Sequence, residues 1–187
     1  NTAIGNNAAS ANTSGAENTI VGSSAFATST TGGQNVAIGR SALNANTTAS
    51  NNTAVGYAAL TDNTTGTNNV AVGYASADAQ TTASNTTAIG YQALSANTGD
   101  NNTAAGKDAL LSHTSGIYNT AVGSQALDAN TTASNNTAVG YAALGANTTG
   151  GDNTAVGRSA ADANTTASYT TAFGCLLYTS DAATKEG

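Results

Sequence analysis

The chain has 187 residues, and nearly two-thirds of them are Ala, Thr, Asn or Gly. Charged residues make up 7% and aromatics 5%, and Pro, Met and Trp are absent, which argues against both a charge-driven disordered tail and a conventional core of large side chains. Four basic residues against ten acidic ones leave a formal net charge of −6, and Arg40, Lys107, Arg158 and Lys185 are too scattered to neutralise a phosphate backbone, so nucleic acid is not an expected partner.

The first element begins within a few residues of Asn1. Thr2-Ala3-Ile4-Gly5 is the first copy of a motif whose glycine recurs at 22, 39, 56, 73, 90, 106, 123, 140, 157 and 174. The spacing is 17 in nine of ten intervals and 16 once, where Asn97-Thr98-Gly99 is one residue shorter than Asn63-Thr64-Thr65-Gly66. Ahead of the glycine stand Thr or Val, then Ala in ten of eleven copies (Ile20 departs), then Val or Ile in nine of eleven (Ala105 and Phe173 depart), an alternation of period two that predicts a short strand. The expectation is that the β-branched residues face inward. They form a core column of Val36, Ile38, Thr53, Val55, Val70, Val72, Ile89, Val122, Val139 and Val156.

After the glycine comes an exposed-looking position held by Arg40, Tyr57, Tyr74, Tyr91, Lys107, Tyr141 and Arg158, among others. If the units stack, these form a ladder in which Arg40 and Lys107 bracket three tyrosines and Arg158 follows Tyr141. Such a ladder can hold register by stacking and cation–π contact, or it can meet a glycan or cell-surface receptor. Four residues past the glycine, Leu43, Leu60, Leu94, Leu110, Leu127 and Leu144 join the expected core, in a segment that suits either a second strand or a helical turn.

Seven residues past the glycine, Asn12, Asn46, Asn63, Asn97, Asn130, Asn147 and Asn164 mark a turn. Stacked amides there can bond along the column and satisfy turn backbone groups. The rival reading is N-glycosylation: Asn-x-Ser/Thr occurs at Asn12, Asn46, Asn51, Asn63, Asn85, Asn101, Asn130, Asn135, Asn147 and Asn164, with Asn46, Asn63, Asn130, Asn147 and Asn164 as the candidate acceptors, although the pattern is frequent by composition alone. A second asparagine recurs four residues before the glycine, as at Asn52 and Asn136. Threonine pairs such as Thr47-Thr48 and Thr64-Thr65 form a further row, and a flat threonine array is the feature an ice-binding surface would need. The pairs fall in the turn, however, and adjacent strand residues face opposite ways.

No catalytic constellation is expected. His113 is the single histidine and stands in the asparagine column, and Asp62, Asp78, Asp128 and Asp162 fall at a variable surface position. No cofactor and no metal site are implied, since His, Cys and acids are not clustered. No apolar run approaches the roughly 20 residues of a membrane-spanning helix, so membrane insertion by this segment is not expected. The start at Asn1, in mid-motif and without methionine, reads as a fragment of a longer protein, so any export signal would lie outside it.

A unit of 17 residues is too short for a two-helix repeat and carries only two or three sizeable apolar side chains. At roughly 1.5 to 3 kcal/mol each, these do not offset an ordering cost of about 1 to 2 kcal/mol per residue. Stacked units share backbone hydrogen bonds and a continuous core, so the predicted fold is all-β, a β-solenoid or parallel β-roll of about ten 17-residue turns over 1–174. The stretch 175–187, Cys175 to Gly187, breaks the pattern and resembles the translation of a sequencing adapter read through at the end of a DNA read.

Asn35-Val36-Ala37-Ile38-Gly39 and Asn69-Val70-Ala71-Val72-Gly73 resemble the YadA-like head repeat of trimeric autotransporter adhesins and related arrays in phage tail fibres and bacterial surface proteins. The resemblance implies a left-handed parallel β-roll, with Val36 and Ile38, Thr53 and Val55, and Val70 and Val72 lining its core. It also implies side-by-side association of three chains. The 17-residue unit is longer than that family's usual repeat. The expected function is therefore non-enzymatic: an extracellular segment of an adhesin-like or phage fibre, acting as a rigid spacer with multivalent binding. A self-assembling end-to-end fibril and an ice-binding solenoid are the alternatives.

Overall fold

The computed structural model describes residues 1–174; the adapter-like stretch 175–187 lies outside the described residues. Every strand motif forms a three-residue strand: β1 (Thr2–Ile4), β2 (Thr19–Val21), β3 (Val36–Ile38), β4 (Thr53–Val55), β5 (Val70–Val72), β6 (Thr87–Ile89), β7 (Thr103–Ala105), β8 (Thr120–Val122), β9 (Thr137–Val139), β10 (Thr154–Val156) and β11 (Thr171–Phe173). They make one parallel sheet in chain order, each strand pairing with the same position one repeat away, as Thr53 with Val70, Ala54 with Ala71 and Val55 with Val72. The shortened unit does not disturb this register: Thr87 still faces Thr103. The chain is thus a β-solenoid of about ten turns, and at ~4.8 Å per turn the stack is roughly 50 Å long.

The return path is neither a second strand nor a helical turn. It consists of two consecutive β-turns, in which the Gly39 carbonyl accepts from the Ala42 N–H at 3.3 Å and the Leu43 carbonyl from the Asn46 N–H at 3.2 Å. Between them the backbone binds both neighbouring turns: the Ser41 N–H donates back to Ser23 at 3.0 Å and the Leu43 N–H forward to Ala59 at 3.0 Å. This geometry needs positive φ at ordinary residues, 59° at Ser41, 49° at Leu43 and 62° at Asn51, repeated in every unit. Left-handed backbone costs an L-residue roughly 1 to 2 kcal/mol, so a solitary turn is unfavourable and only the axial hydrogen bonds hold it.

The motif glycine has a separate, steric reason. Gly56 has φ of 142°, and a Cβ there would lie 2.2 Å from the Gly73 carbonyl oxygen, so successive turns approach as closely as glycine allows.

The core is the reverse of the expected one on its strand side. The fully buried strand residue is the central alanine, as in Ala37, Ala54, Ala71, Ala88, Ala104, Ala121, Ala138 and Ala155, with Ile20 taking that place in β2. Val36, Thr53, Val55, Val72 and Val156 are half-buried, and Ile38, Val70, Ile89, Val122 and Val139 are exposed on the outer face of the sheet. Leu43, Leu60, Leu94, Leu110, Leu127 and Leu144, with Phe26, are fully buried and pack in the same cluster as the alanines. Alternation says which residues share a face and not which face is interior. Here a leucine row on one wall and a tight 17-residue circuit put a methyl group on the other, except in β2, where Ile20 follows the unit that carries Ala9 in the leucine position.

This corrected orientation predicts opposite outcomes for adjacent residues. Ala138→Asp, which buries an unpaired carboxylate, should destabilise the stack by about 3 kcal/mol or more. Val139→Asp, on the outer face, should leave the thermal transition seen by circular dichroism nearly unchanged when the chain is dilute enough to be monomeric, since water solvates the charge there. A large loss of melting temperature for Val139→Asp with none for Ala138→Asp would reverse the assignment.

Candidate functional site

Two asparagine columns line the interior corners. In the first, Asn46, Asn63, Asn97, Asn130 and Asn147 are fully buried, whereas Asn12 and Asn164, in the first and last complete turns, are half-buried. Each amide donates to the carbonyl three residues on, or two in the shortened unit: Asn46 Nδ2 to Ala49 O at 3.1 Å, Asn147 Nδ2 to Gly150 O at 2.9 Å and Asn97 Nδ2 to Gly99 O at 2.7 Å. Nδ2 also reaches the amide oxygen of the preceding turn, as from Asn63 to Asn46 at 3.3 Å and from Asn147 to Asn130 at 3.2 Å. Gln80 stands in the same row, its Nε2 donating to Ala83 O at 3.0 Å, and the Oδ1 atoms of Asn63 and Asn147 are buried without a hydrogen-bond partner.

The second column, Asn18, Asn35, Asn52, Asn69, Asn102, Asn119, Asn136 and Asn153, ties turns together directly. Asn35 Oδ1 accepts the backbone N–H of Asn52 at 2.9 Å while its Nδ2 donates to Ala49 O at 3.0 Å, both one turn ahead. The recurrence of this asparagine is visible in sequence; its role in joining turns follows from where the corner sits.

Burial removes four of the five candidate glycan acceptors. Asn46, Asn63, Asn130 and Asn147 use their amides inside the corner, so the folded rod does not offer them to a transferase, and Asn164 is half-buried. Of the ten Asn-x-Ser/Thr asparagines, Asn51, Asn85 and Asn135 are exposed, at the left-handed position before the inner corner.

His113 replaces the first-column asparagine and is fully buried. Its Nε2 lies 2.9 Å from Gly116 O and 3.3 Å from Asn102 Nδ2, and its Nδ1 lies 3.0 Å from Asn130 Nδ2. An amide donor on Nδ1 and a carbonyl on Nε2 select the neutral ring with its proton on Nε2. Burial holds its pKa below the ordinary histidine value, partly offset by the Gly116 carbonyl.

Outside, the residues after the glycines form the expected ladder. Tyr57 stacks on Tyr74 with ring centroids 5.2 Å apart, and Tyr74 on Tyr91 at 5.4 Å, both pairs at an interplanar angle of 10°. Arg40 lies 5.7 Å from the Tyr57 ring, Lys107 5.8 Å from Tyr91, and Arg158 5.9 Å from Tyr141. The ring faces are thus taken by neighbouring rings and cations, while edges and hydroxyls remain about half exposed. Lys107 also pairs with Asp108, which raises the lysine pKa from its usual value.

Two rows involve threonine, and the structure separates them. Thr47, Thr64, Thr131 and Thr148 spend their hydroxyls on the threonine carbonyl of the next turn, as from Thr47 Oγ1 to Thr64 O at 3.0 Å. The regular outward array is on the sheet, where Thr (twice Val) and Val or Ile flank the inward residue in nine of the eleven strands, β7 carrying Ala105 and β11 Phe173 at the second outward position. No charged side chain interrupts it, and this uncharged strip was not among the surfaces expected from sequence.

The acids do not assemble a site. Ser95 donates to Asp78 at 2.5 Å, and burial pushes the Asp128 carboxyl above the usual range, with Asp108 adding to the rise. Among the described residues no group of three His, Cys, Asp or Glu is placed to hold a metal ion, and no helix is long and apolar enough to cross a membrane. A cavity of about 180 Å³ among the described residues is lined by Ala160, Ala161, Asn164, Ala172 and Phe173, next in sequence to the stretch 175–187 and away from His113 and the tyrosine row. Comparison with protein-family models, curated proteins and solved structures finds no match.

The buried histidine gives a pH dependence with a definite sign. Its folded pKa lies below its unfolded value of about 6.5, so the unfolded chain binds more protons in that window and stability falls as pH drops below it. The raised Asp128 acts oppositely and at lower pH, in the carboxylate range. The melting temperature should therefore fall between pH 7.5 and 5.5, and His113→Asn should flatten that segment of the profile. An equal fall in both proteins would remove His113 as its origin.

Proposed function

We propose that the chain is a rigid, non-enzymatic structural segment of an extracellular fibre, in which copies associate side by side, three together, through the outer face of the sheet. The observation that carries this reading is the uncharged outward strip of Val, Ile and Thr along the stack, with Ile38, Ile89 and Val122 about two-fifths exposed. Continuous apolar strips of this kind are what interfaces bury. The resemblance of Asn-Val-Ala-Ile-Gly to the adhesin head repeat supports the same association. A stack without loops or insertions serves as a spacer, and the exposed tyrosine edges with Arg40 and Lys107 provide a repeated contact for a glycan or cell-surface receptor. Weak contacts repeated along a rod add through effective concentration.

The same strip favours one other reading. Thr and Val side chains two apart on a strand and one strand apart along the axis form a flat lattice of hydroxyl and methyl groups, the arrangement suited to ordering water against ice.

Sedimentation equilibrium of the chain ending at Gly174 tests the two. A discrete trimer that becomes monomeric in the Val122→Lys, Val139→Lys double variant, with its circular dichroism retained, is the expected result. A stable wild-type monomer showing thermal hysteresis would replace the fibre reading with ice binding. Open-ended polymers would indicate end-to-end stacking of subunits.

A further inference from the structure

Tyr57, Tyr74 and Tyr91 stand one above another on three successive turns, with centroids 5.2 and 5.4 Å apart and each ring about half exposed. Beyond Tyr57 the next side chain in the row is Arg40, and beyond Tyr91 it is Lys107, so the row of phenols begins and ends within three turns. Tyr141 shares the column but is separated from Tyr91 by Lys107 and Ser124, and Tyr118 and Tyr169 lie in a different column of the repeat. The chain therefore holds three phenols in contact and three more, among the described residues, that do not belong to the row.

We propose that this row is a site of oxidative modification, at which a peroxide-driven reaction joins Tyr74 to Tyr57 or Tyr91 and clamps successive turns covalently. Each of two neighbouring phenols loses one electron and its hydroxyl proton to become a phenoxyl radical. The two radicals form a carbon–carbon bond between the ring positions ortho to oxygen, and each ring then returns its displaced hydrogen to oxygen and regains aromaticity. Two tyrosines lose two hydrogens in total, and one hydrogen peroxide accepts them to give two waters, with a haem peroxidase as the electron-transfer catalyst. Stacking places the partners in contact before oxidation. Exposure lets the rings turn on the picosecond-to-nanosecond scale of surface side chains, so the ortho carbons meet without unfolding. Tyr74 is the necessary member, because Tyr57 and Tyr91 lie two turns, roughly 10 Å, apart.

The row also has a mechanical consequence. A solenoid is stable as a sum over neighbouring turns, and a covalent bond across two of them removes the fraying step between those turns.

The test treats the dilute chain with hydrogen peroxide and a haem peroxidase, then separates single-chain from joined-chain products and maps the joined peptides by mass spectrometry. The expected result is dityrosine fluorescence in the single-chain fraction and a linked peptide, two hydrogens lighter, joining Tyr74 to Tyr57 or Tyr91. Tyr74→Phe, which keeps a stacked ring, should lose that product, whereas Tyr141→Phe should keep it. Coupling found only between chains, or retained at the wild-type level in Tyr74→Phe, would overturn the proposal.

Discussion

Each turn of this molecule is held by hydrogen bonds to the same positions in the turns before and after it, and every other feature follows from keeping those positions aligned. A 17-residue circuit with three left-handed non-glycine residues is a poor conformation for an isolated peptide. It becomes favourable when the carbonyls and amides that point along the axis meet identical partners one repeat away, as strand, turn and corner all do here. Identity between repeats is therefore a geometric requirement. A residue that fits in one turn fits in the next, and one that shifts the path would disturb both neighbours. The shortened unit obeys the requirement by losing its residue in the corner at Asn97-Thr98-Gly99, where β6 and β7 keep their pairing.

The alignment also governs what the interior can hold. With glycine stacked on glycine and alanine opposite leucine, the cross-section is thin, and polar corners take the volume that a larger domain would give to apolar side chains. Buried asparagine is tolerated because both ends of each amide are used: Asn35 accepts from one backbone group and donates to another in the next turn. The price of such a column is intolerance of substitution. His113 can stand in it because an imidazole offers one acceptor and one donor at suitable distances, and only in its neutral form. Gln80 also stands in it, donating to Ala83 O and accepting from Asn97 Nδ2.

Outside, the sheet presents Val, Ile and Thr without charge, and the neighbouring column presents stacked aromatic rings capped by cations. These surfaces are chemically distinct, one an uncharged strip of methyl and hydroxyl groups and the other a row of rings and cations. The ladder's ring faces are already paired, which leaves hydroxyl edges as the groups available to a partner or an oxidant.

The period, the strand motif, the parallel stack and the ladder around Tyr74 were all legible in the sequence, because repetition at 17 residues by itself brings identical positions together. The inward face was not. Alternation assigns Thr53 and Val55 to one side and Ala54 to the other, and hydrophobicity alone pointed to the wrong side. A signal was present in the near-invariance of the alanine against the free exchange of Thr for Val, since a column tolerating both hydroxyl and methyl touches no tight wall. The sequence by itself thus determined which residues are neighbours along the axis. Only the tertiary structure decided which face the circuit closes around, because closure depends on how two β-turns return the chain and how much volume remains beside the leucines. That volume is also what buried Asn46, Asn63, Asn130 and Asn147 and left the valines outside.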